Sequence, residues 1–480
     1  MRTHLVGTTL CAATLSLAAS GVAQTAPAPQ KPNVVLLVAD DLGSGDVGFR
    51  GGAIPTPNID QLARNGVVLD AFYVMPLCSP TRAALLTGRY PFRYGLQAGV
   101  VRPWASYGVP TDERMLPEAL RDAGYETAIV GKWHLGHSKP EFLPSARGFE
   151  HQYGFYNGQL DYYTHLRDGG YDWHRDGHRN DDQGYSTDLI GDEAIRLIRE
   201  RDKTRPLFMY VAFQAPHSPY QDPPEKYRQT VPGAPPARER YMGKVVGVDA
   251  QVGRIVSALS DAGMTSSTLV VFFSDNGGPD PGRITSNGAF RSGKGSVYEG
   301  GVRSCASATW PGVIPAGSTA TQPIHVVDLF PTVAALAGAA ITQKKPLDGR
   351  DVLSALRGDT KSTHDEIVVN ITPRGGAIRS GDWKLVVNGY RFGNDEAPGN
   401  APASRQKEAG VTVYELFDLS TDKSESKNVA EEHADVVNRL SKRFDELQRS
   451  EHLPFNDARP ADFKVPAVWG EAEPTTQPHP

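Results

Sequence analysis

Four apolar runs organise the larger part of the chain: "NVVLLVADDLG" (33–43), "YETAIVGKWHLG" (125–136), "RPLFMYVAFQAPHSP" (205–219) and "STLVVFFSDNGG" (267–278). Each is rich in β-branched or aromatic residues and unbroken rather than alternating, as expected of a parallel strand covered on both faces. Each then stops at charged or metal-ligating residues. Between the last two, "VDAQVGRIVSALSDAG" places Val248, Val252, Ile255, Val256 and Leu259 on one helical face. In "TPNIDQLARNG", Thr56 and Pro57 open a helix that Gly66 closes. Strands alternating with helices predict an α/β fold around a large, mainly parallel sheet flanked by helices. In such sheets ligands collect outside the carboxyl ends of the strands, and here four strand ends carry reactive side chains.

Beyond residue 360 the pattern changes. "GGAIRSGDWKLVVNG" and "VYELFDLS" read as short strands and "EEHADVVNRLSKRFDELQRS" as a helix, predicting a smaller antiparallel sheet with a helix packed on it. The expected organisation is a catalytic domain over 32–360, this C-terminal subdomain over 361–452, and a tail over 453–480 whose Pro, Glu and Thr content predicts poor order. At the other end, "MRTHLVGTTLCAATLSLAASGVAQ" has a basic start, an apolar run and small residues at a cleavage point. It reads as a signal peptide over 1–23, followed by a Pro/Ala/Gln linker over 24–31. A membrane anchor is the competing reading, opposed by the Thr and Ser in the run and the lack of a stop-transfer flank. The mature protein is expected to be periplasmic or secreted.

Charge narrows the partners. A net charge of −5 gives no broad basic field, which argues against nucleic acid, so any anion must be held by local positive charge. Of three cysteines, removal of the leader leaves Cys78 and Cys305. In an oxidising compartment a disulfide is the first expectation. The surroundings of Cys78 oppose it: in "CSPTRAALLTGR", Ser79 and Pro80 suit the N-cap and first helical positions, which would put Cys78 just before a helix amino end. There free N–H groups and Arg82 would make a thiol acidic. Cys305 is left as a buried free thiol.

Asp40 and Asp41 end one strand and Asp275 and Asn276 another, an all-oxygen donor set suited to Ca²⁺ or Mg²⁺. Either pair alone would read as a turn or cap. Lys132 and His134, two apart, would point the same way in extended chain. With His217, fixed between prolines, and Lys294 in the glycine-rich "RSGKGSVYEGG", they make a cationic pocket for an anion, with histidines to move protons. A thiolate is a poor match for a hard cation. Tyr162, Tyr163 and His165, with "YDWHRDGHRND", form a candidate sugar-binding wall, an ordinary surface loop being the equal alternative. The pair in "HVVDLF" (325–330) reads as structural.

The pattern C-x-P-x-R, here "CSPTR" extended to "CSPTRAALLTGR", resembles the signature of the type I sulfatases, in which this cysteine becomes formylglycine. The likeness runs on through "GKWHLG", "APHSP", "SDNGG", "GKGSVYEGGVR", "GDWKLV" and "YELFDLSTD"; "DYYTH" and "RYPFRYGLQ" are most similar to the arylsulfatase B (N-acetylgalactosamine-4-sulfatase) group. The resemblance implies an alkaline phosphatase-like fold and an exported sulfuric ester hydrolase acting on a sulfated carbohydrate. It also implies a formylglycine-generating enzyme as partner during maturation. It implies one Ca²⁺ held by Asp40, Asp41, Asp275, Asn276 and the modified Cys78. In the mechanism the resemblance implies, a hydroxyl of the hydrated aldehyde, helped by Asp275, attacks sulfur while His217 protonates the leaving alcohol. By the same resemblance, Lys132, Lys294 and His217 would contact the sulfate group, Arg82 would stabilise the hydrate, and His134 would take the proton that lets sulfate leave. His165 is the candidate sugar contact. The rivals are a phosphodiesterase or phosphonate monoester hydrolase of the same superfamily, and a glycan-binding protein without turnover.

Overall fold

The computed structural model describes residues 1, 31–389 and 411–471; the expected signal peptide and linker fall almost wholly outside them. The four apolar runs become β1 (Asn33–Asp40), β2 (Glu126–Lys132), β3 (Leu207–Pro216) and β4 (Thr268–Ser274). They lie side by side in the order β4-β1-β3-β2, all parallel, at the centre of a ten-stranded sheet. In register, Leu36 of β1 stands between Tyr210 of β3 and Val271 of β4. The sheet continues beyond β2 through His151–Phe155, and beyond β4 through the antiparallel Ala306–Thr309.

The unbroken apolar runs have a simple cause: both faces of the sheet are covered. Val34, Leu36 and Val38 enter one core, and Val35, Leu37 and Ala39 enter the other. Each fully buried aliphatic side chain of this kind contributes about 1.5–3 kcal/mol. The first face is covered by helices that include α2 (Cys78–Thr87) and by the C-terminal sheet. The second is covered by α3 (Ser186–Glu200) and α4 (Pro236–Asp261), and α1 (Pro57–Arg64) packs there too. The helix α4 begins twelve residues before the segment read from sequence. The glycines and polar residues of "PARERYMGKVVG" hide the early part of its apolar stripe.

The C-terminal sheet has four antiparallel strands, β5 (Ile367–Thr372), β6 (Gly375–Ser380), β7 (Trp383–Val387) and β8 (Tyr414–Asp418), and α5 (Ala434–Gln448) packs on it. Sequence reading missed β5. The described residues from Lys31 onward fall in one compact unit, this sheet included.

The expectation of a poorly ordered tail is overturned for the described residues 453–471. The Phe455 N–H bonds the Gly95 carbonyl at 2.8 Å, and Trp104 Nε1 donates to the Asp457 carbonyl at 2.9 Å. Trp469 is buried, its indole donating to the Arg167 carbonyl at 3.0 Å. Composition suggested disorder because Pro and charge dominate; three aromatic anchors and a run of backbone pairings outweigh it.

Candidate active site

The carboxyl ends of β1, β2, β3 and β4 open on one region, and the chain turns sharply there. Asp40 is the last residue of β1, and Asp41 follows in the left-handed region with φ 66°. In a continuing strand consecutive side chains would point to opposite faces; this reversal lets both carboxylates converge. Asp275 and Asn276 leave β4 alongside: the Asp41 N–H lies 3.3 Å from Asp275 Oδ1, and Asn276 Nδ2 donates to Asp41 Oδ1 at 2.7 Å. Gly277 then packs so closely on the Gly300 carbonyl, 1.8 Å from where a Cβ would stand, that no side chain fits. That contact presses this turn against the loop bearing Lys294.

Cys78 is the first residue of α2, with Leu77 as N-cap, one position inside the sequence expectation. Ser79 is therefore not the cap. Its hydroxyl donates to the His134 carbonyl at 2.8 Å and accepts from the Val101 N–H at 3.0 Å. Cys78 Sγ lies 3.4 Å from both Asp40 Oδ1 and Asn276 Oδ1. The expected acidic thiol is overturned: burial first, then the Asp275 and Asp40 carboxylates, push the Cys78 thiol well above its ordinary range. Cys305 is also a buried free thiol, pushed up by burial to about 12, and no disulfide joins the two.

Arg82 is fully buried and grips Asp275 Oδ2 through Nη2 at 2.7 Å and Nε at 3.1 Å, while Nη1 donates to the Lys132 carbonyl and the Tyr210 hydroxyl, each at 3.1 Å. One guanidinium thus ties the ends of β2 and β4 to the middle of β3. Lys132 Nζ pairs with Asp40 at 2.5 Å and Lys294 Nζ with Asp41 at 2.8 Å. Burial raises the Asp275 carboxyl, with Asp40 adding to it. The same desolvation at Asp40 is outweighed by Lys132, His217 and Arg82, which leave it below its ordinary range.

Lys132 and His134 do reach the same region, though not by extended geometry. The strand ends at Lys132, and His134 turns back with φ 59°. His134 Nε2 faces the Val101 carbonyl at 3.1 Å, which can only accept, so Nε2 carries the proton. Among the described residues its Nδ1 is a buried ring nitrogen with no partner. Burial, with Lys132 and Arg82 nearby, holds the ring neutral by pulling its pKa well below the usual range. His217 follows β3 between two cis peptide bonds to proline, at 216 and 219. Its Nδ1 lies 2.7 Å from the Ser218 carbonyl, which leaves Nε2 to accept from Lys294 Nζ at 3.1 Å. Burial and then Lys294 pull its pKa down, so a proton placed there is readily given up.

The donor set can be tested for a cation. Ligand atoms of Asp40, Asp41, Cys78 and His217 lie within 4.8 Å of one another, all buried, and Asn276 Oδ1 joins them through its contact with Sγ. Aspartates 40, 41 and 275 are balanced by Arg82, Lys132 and Lys294. If the two lysines turn to an anionic substrate, the carboxylates lose their partners and a hard divalent cation fits the oxygens they leave.

His165 is not part of this site. It is 1% exposed, its ring stacked on Trp173 at 4.4 Å between centroids, which removes it as an open sugar-binding wall. Of its neighbours, Tyr163 is exposed. Tyr162 is buried and donates to the His217 carbonyl at 2.7 Å, an internal brace rather than a sugar contact. His325 and Asp328 form their own capping pair, the His325 N–H donating to Asp328 at 2.8 Å, as the structural reading expected. Sequence reading missed Tyr210 and Gly158, and gave Tyr162 a place in a sugar-binding wall instead of its role behind His217. A Cβ on Gly158 would stand 2.6 Å from the His134 ring. No local pattern marks these three roles, because each residue matters only through a partner distant in sequence.

A parallel sheet that gathers three carboxylates, two lysines and two histidines around a helix-terminal residue belongs with the alkaline phosphatase-like hydrolases. Residues 32–339 match the model of the Sulfatase family, and the chain belongs to that family. It is similar to bovine (Bos taurus) arylsulfatase A, 36% identical with 97% of both chains covered. It is also similar to N-acetylgalactosamine-6-sulfatase from Canis lupus familiaris, 38% identical over 72% of this chain and 69% of that one. Among solved structures, Ps i-CgsB in complex with k-i-k-neocarrahexaose superposes with a TM-score of 0.78 at 32% identity, covering 88% of this chain and 94% of that one. The protein is a sulfuric ester hydrolase. These relatives do not single out the arylsulfatase B group.

Proposed function

We propose that this enzyme is exported and hydrolyses sulfate esters on a sulfated carbohydrate, using formylglycine made from Cys78 by a modifying enzyme, and one Ca²⁺. No helix among the described residues is long and apolar enough to cross a membrane. The substrate class is supported by the similarity to an N-acetylgalactosamine-6-sulfatase and to a protein crystallised with k-i-k-neocarrahexaose.

One observation carries the chemistry. Residue 78 sits against Asp40 and Asn276 at the mouth of four strands, where burial and the Asp275 and Asp40 carboxylates push a thiol well above its ordinary range. When present, formylglycine would supply a hydrated aldehyde as nucleophile and Ca²⁺ would withdraw charge from the sulfate, with Asp40, Asp41, Asp275 and Asn276 as the oxygen donors. The remaining work falls to side chains already in place. Lys132 and Lys294 exchange their carboxylate partners for sulfate oxygens. Asp275, oriented by Arg82, accepts the proton of the attacking group. As the bond from sulfur to the ester oxygen breaks, its electron pair stays on that oxygen, which takes the proton that His217 Nε2 has picked up from solvent once Lys294 turns from it to the sulfate. His134, with a bare Nδ1, accepts the proton whose removal allows sulfate to depart.

Two measurements test this reading. Peptide mass spectrometry of protein from its native host should find Cys78 converted to the aldehyde; an unmodified thiol in active enzyme would refute it. Chelation followed by Ca²⁺ should raise the melting temperature with saturation, a Ca²⁺ level of 100 Kd stabilising by about 2.7 kcal/mol. Sulfate and phosphate esters of one alcohol, compared directly, separate it from the phosphodiesterase and phosphonate hydrolase alternatives.

A further inference from the structure

The loop that carries His217 is held from behind by a side chain with no part in the chemistry above. Lys244 lies on α4 in the stripe Tyr241, Lys244, Val245, Val248, the i, i+3, i+4, i+7 spacing of a core-facing helix side, and all four are buried. Its Nζ sits 3.7 Å from the centre of the Tyr162 ring and 3.4 Å from the His217 carbonyl oxygen, and it donates to the Pro219 carbonyl oxygen at a shorter distance. Among the described residues no carboxylate lies within 4.0 Å of it. Burial pushes its ammonium well below the ordinary lysine range, and Arg240 adds to that.

A buried lysine without an anionic partner is costly. A methionine would fill the same stripe without that cost, but it could not donate to two carbonyls of one loop. The Tyr162 hydroxyl donates to the same His217 carbonyl at 2.7 Å, so two donors from separate elements converge on the backbone of one residue, while its ring meets Lys294 through Nε2.

We propose that Lys244 is a positioning residue for proton delivery: by holding the His217 and Pro219 carbonyls beside the Tyr162 ring, it fixes where His217 Nε2 stands relative to the departing ester oxygen. This rests on the reading of His217 as the proton donor. A displaced donor matters most when the leaving oxygen is basic and hardly at all when it departs easily as an anion.

The test is Lys244→Met on the mature enzyme, assayed against aryl sulfates whose phenols run from strongly to weakly acidic. The expected result is a kcat loss that grows along the series, within about threefold for the most acidic phenol and about 10–100-fold for the least acidic, with KM unchanged. Tyr162→Phe, which removes the other donor to the same carbonyl, should steepen the same slope and supplies the measurement if Lys244→Met does not fold. An equal loss for every leaving group, or none, in the folded variant overturns the inference. His217→Ala run in parallel separates the two ideas. If it steepens the slope and Lys244→Met does not, only the role of Lys244 fails. If His217→Ala loses equally throughout, the reading of His217 as proton donor fails instead.

Discussion

Gly158→Ala should damage one step of the reaction while leaving another intact. The backbone of Gly158 lies against the imidazole of His134, with the place of a Cβ 2.6 Å from Cε1 and 2.7 Å from Nε2, where 3.4–4 Å is ordinary contact. The ring must therefore retreat by about 1 Å, a misplacement that can cost roughly 100-fold in rate. It is 3% exposed and holds the Val101 carbonyl through Nε2 at 3.1 Å, so that bond is strained or lost as it moves. The broken hydrogen bond and the overpacking together should cost about 2–4 kcal/mol in stability. Because His134 is assigned to sulfate departure and not to the first bond cleavage, rapid mixing with a chromogenic sulfate ester should give a full burst of alcohol, one per site. A steady state about 100-fold slower than the parent should follow. A steady-state rate within twofold of the parent, or a loss confined to the burst, would refute the reasoning. The double variant with His134→Ala should be no slower than His134→Ala alone, since both act through one ring.

Two other predictions concern stability. Trp469→Ala should lower the denaturant-unfolding free energy by about 3–5 kcal/mol, because the indole is 2% exposed and bonded to the Arg167 carbonyl; a loosely attached tail would leave it unchanged. Under the loop bearing Lys294, Lys384 pairs with both Glu299 and Glu425 at 2.8 Å; burial alone would raise Glu299, but Lys384 and Arg303 hold it at about 2, whereas burial pushes Glu425 up to about 7. Between pH 4.5 and 7 the folded state thus holds a proton on Glu425 that the unfolded chain has lost, and stability falls as pH rises by about 3 kcal/mol. Glu299 contributes below that window, where its stabilisation is lost only as pH drops from 4.5 towards about 2. Glu425→Gln should flatten the upper slope in pH-resolved denaturation, and parallel curves for parent and variant would exclude the assignment.

Much of this site was legible because strand ends are legible. A parallel strand buried on both faces must be apolar throughout, so Asp40, Lys132, His217 and Asp275 stand out as the points where that requirement stops. Lys244 was hidden by the same logic inverted. It sits in an apolar stripe whose first turns are masked by glycines, and a lysine there reads as the solvated end of a helix until the fold places Tyr162 over it. The tail misled because composition reports what a segment lacks in apolar residues, not what the rest of the chain offers to the few it has.

The left-handed residues Asp41 and His134 show why an extended-chain argument does not describe how these side chains converge. Neither position carries glycine, and aspartate and histidine are, with asparagine, the other residues most often found in this conformation. At Asp41 the reversal brings a second carboxylate round to the side of the first; at His134 it lays the ring against Gly158, with one nitrogen bonded and the other bare. An extended chain would have sent Asp41 to the opposite face and carried His134 onward with the strand direction. Backbone strain of about 1–3 kcal/mol at each position is sustained by the surrounding bonds. At Asp41 these run to Lys294, Asn276 and Asp275, and at His134 to Ser79 and Val101. The side chains named for chemistry and those named for support are therefore one network, and a variant that relaxes either turn should lose catalysis while gaining backbone freedom.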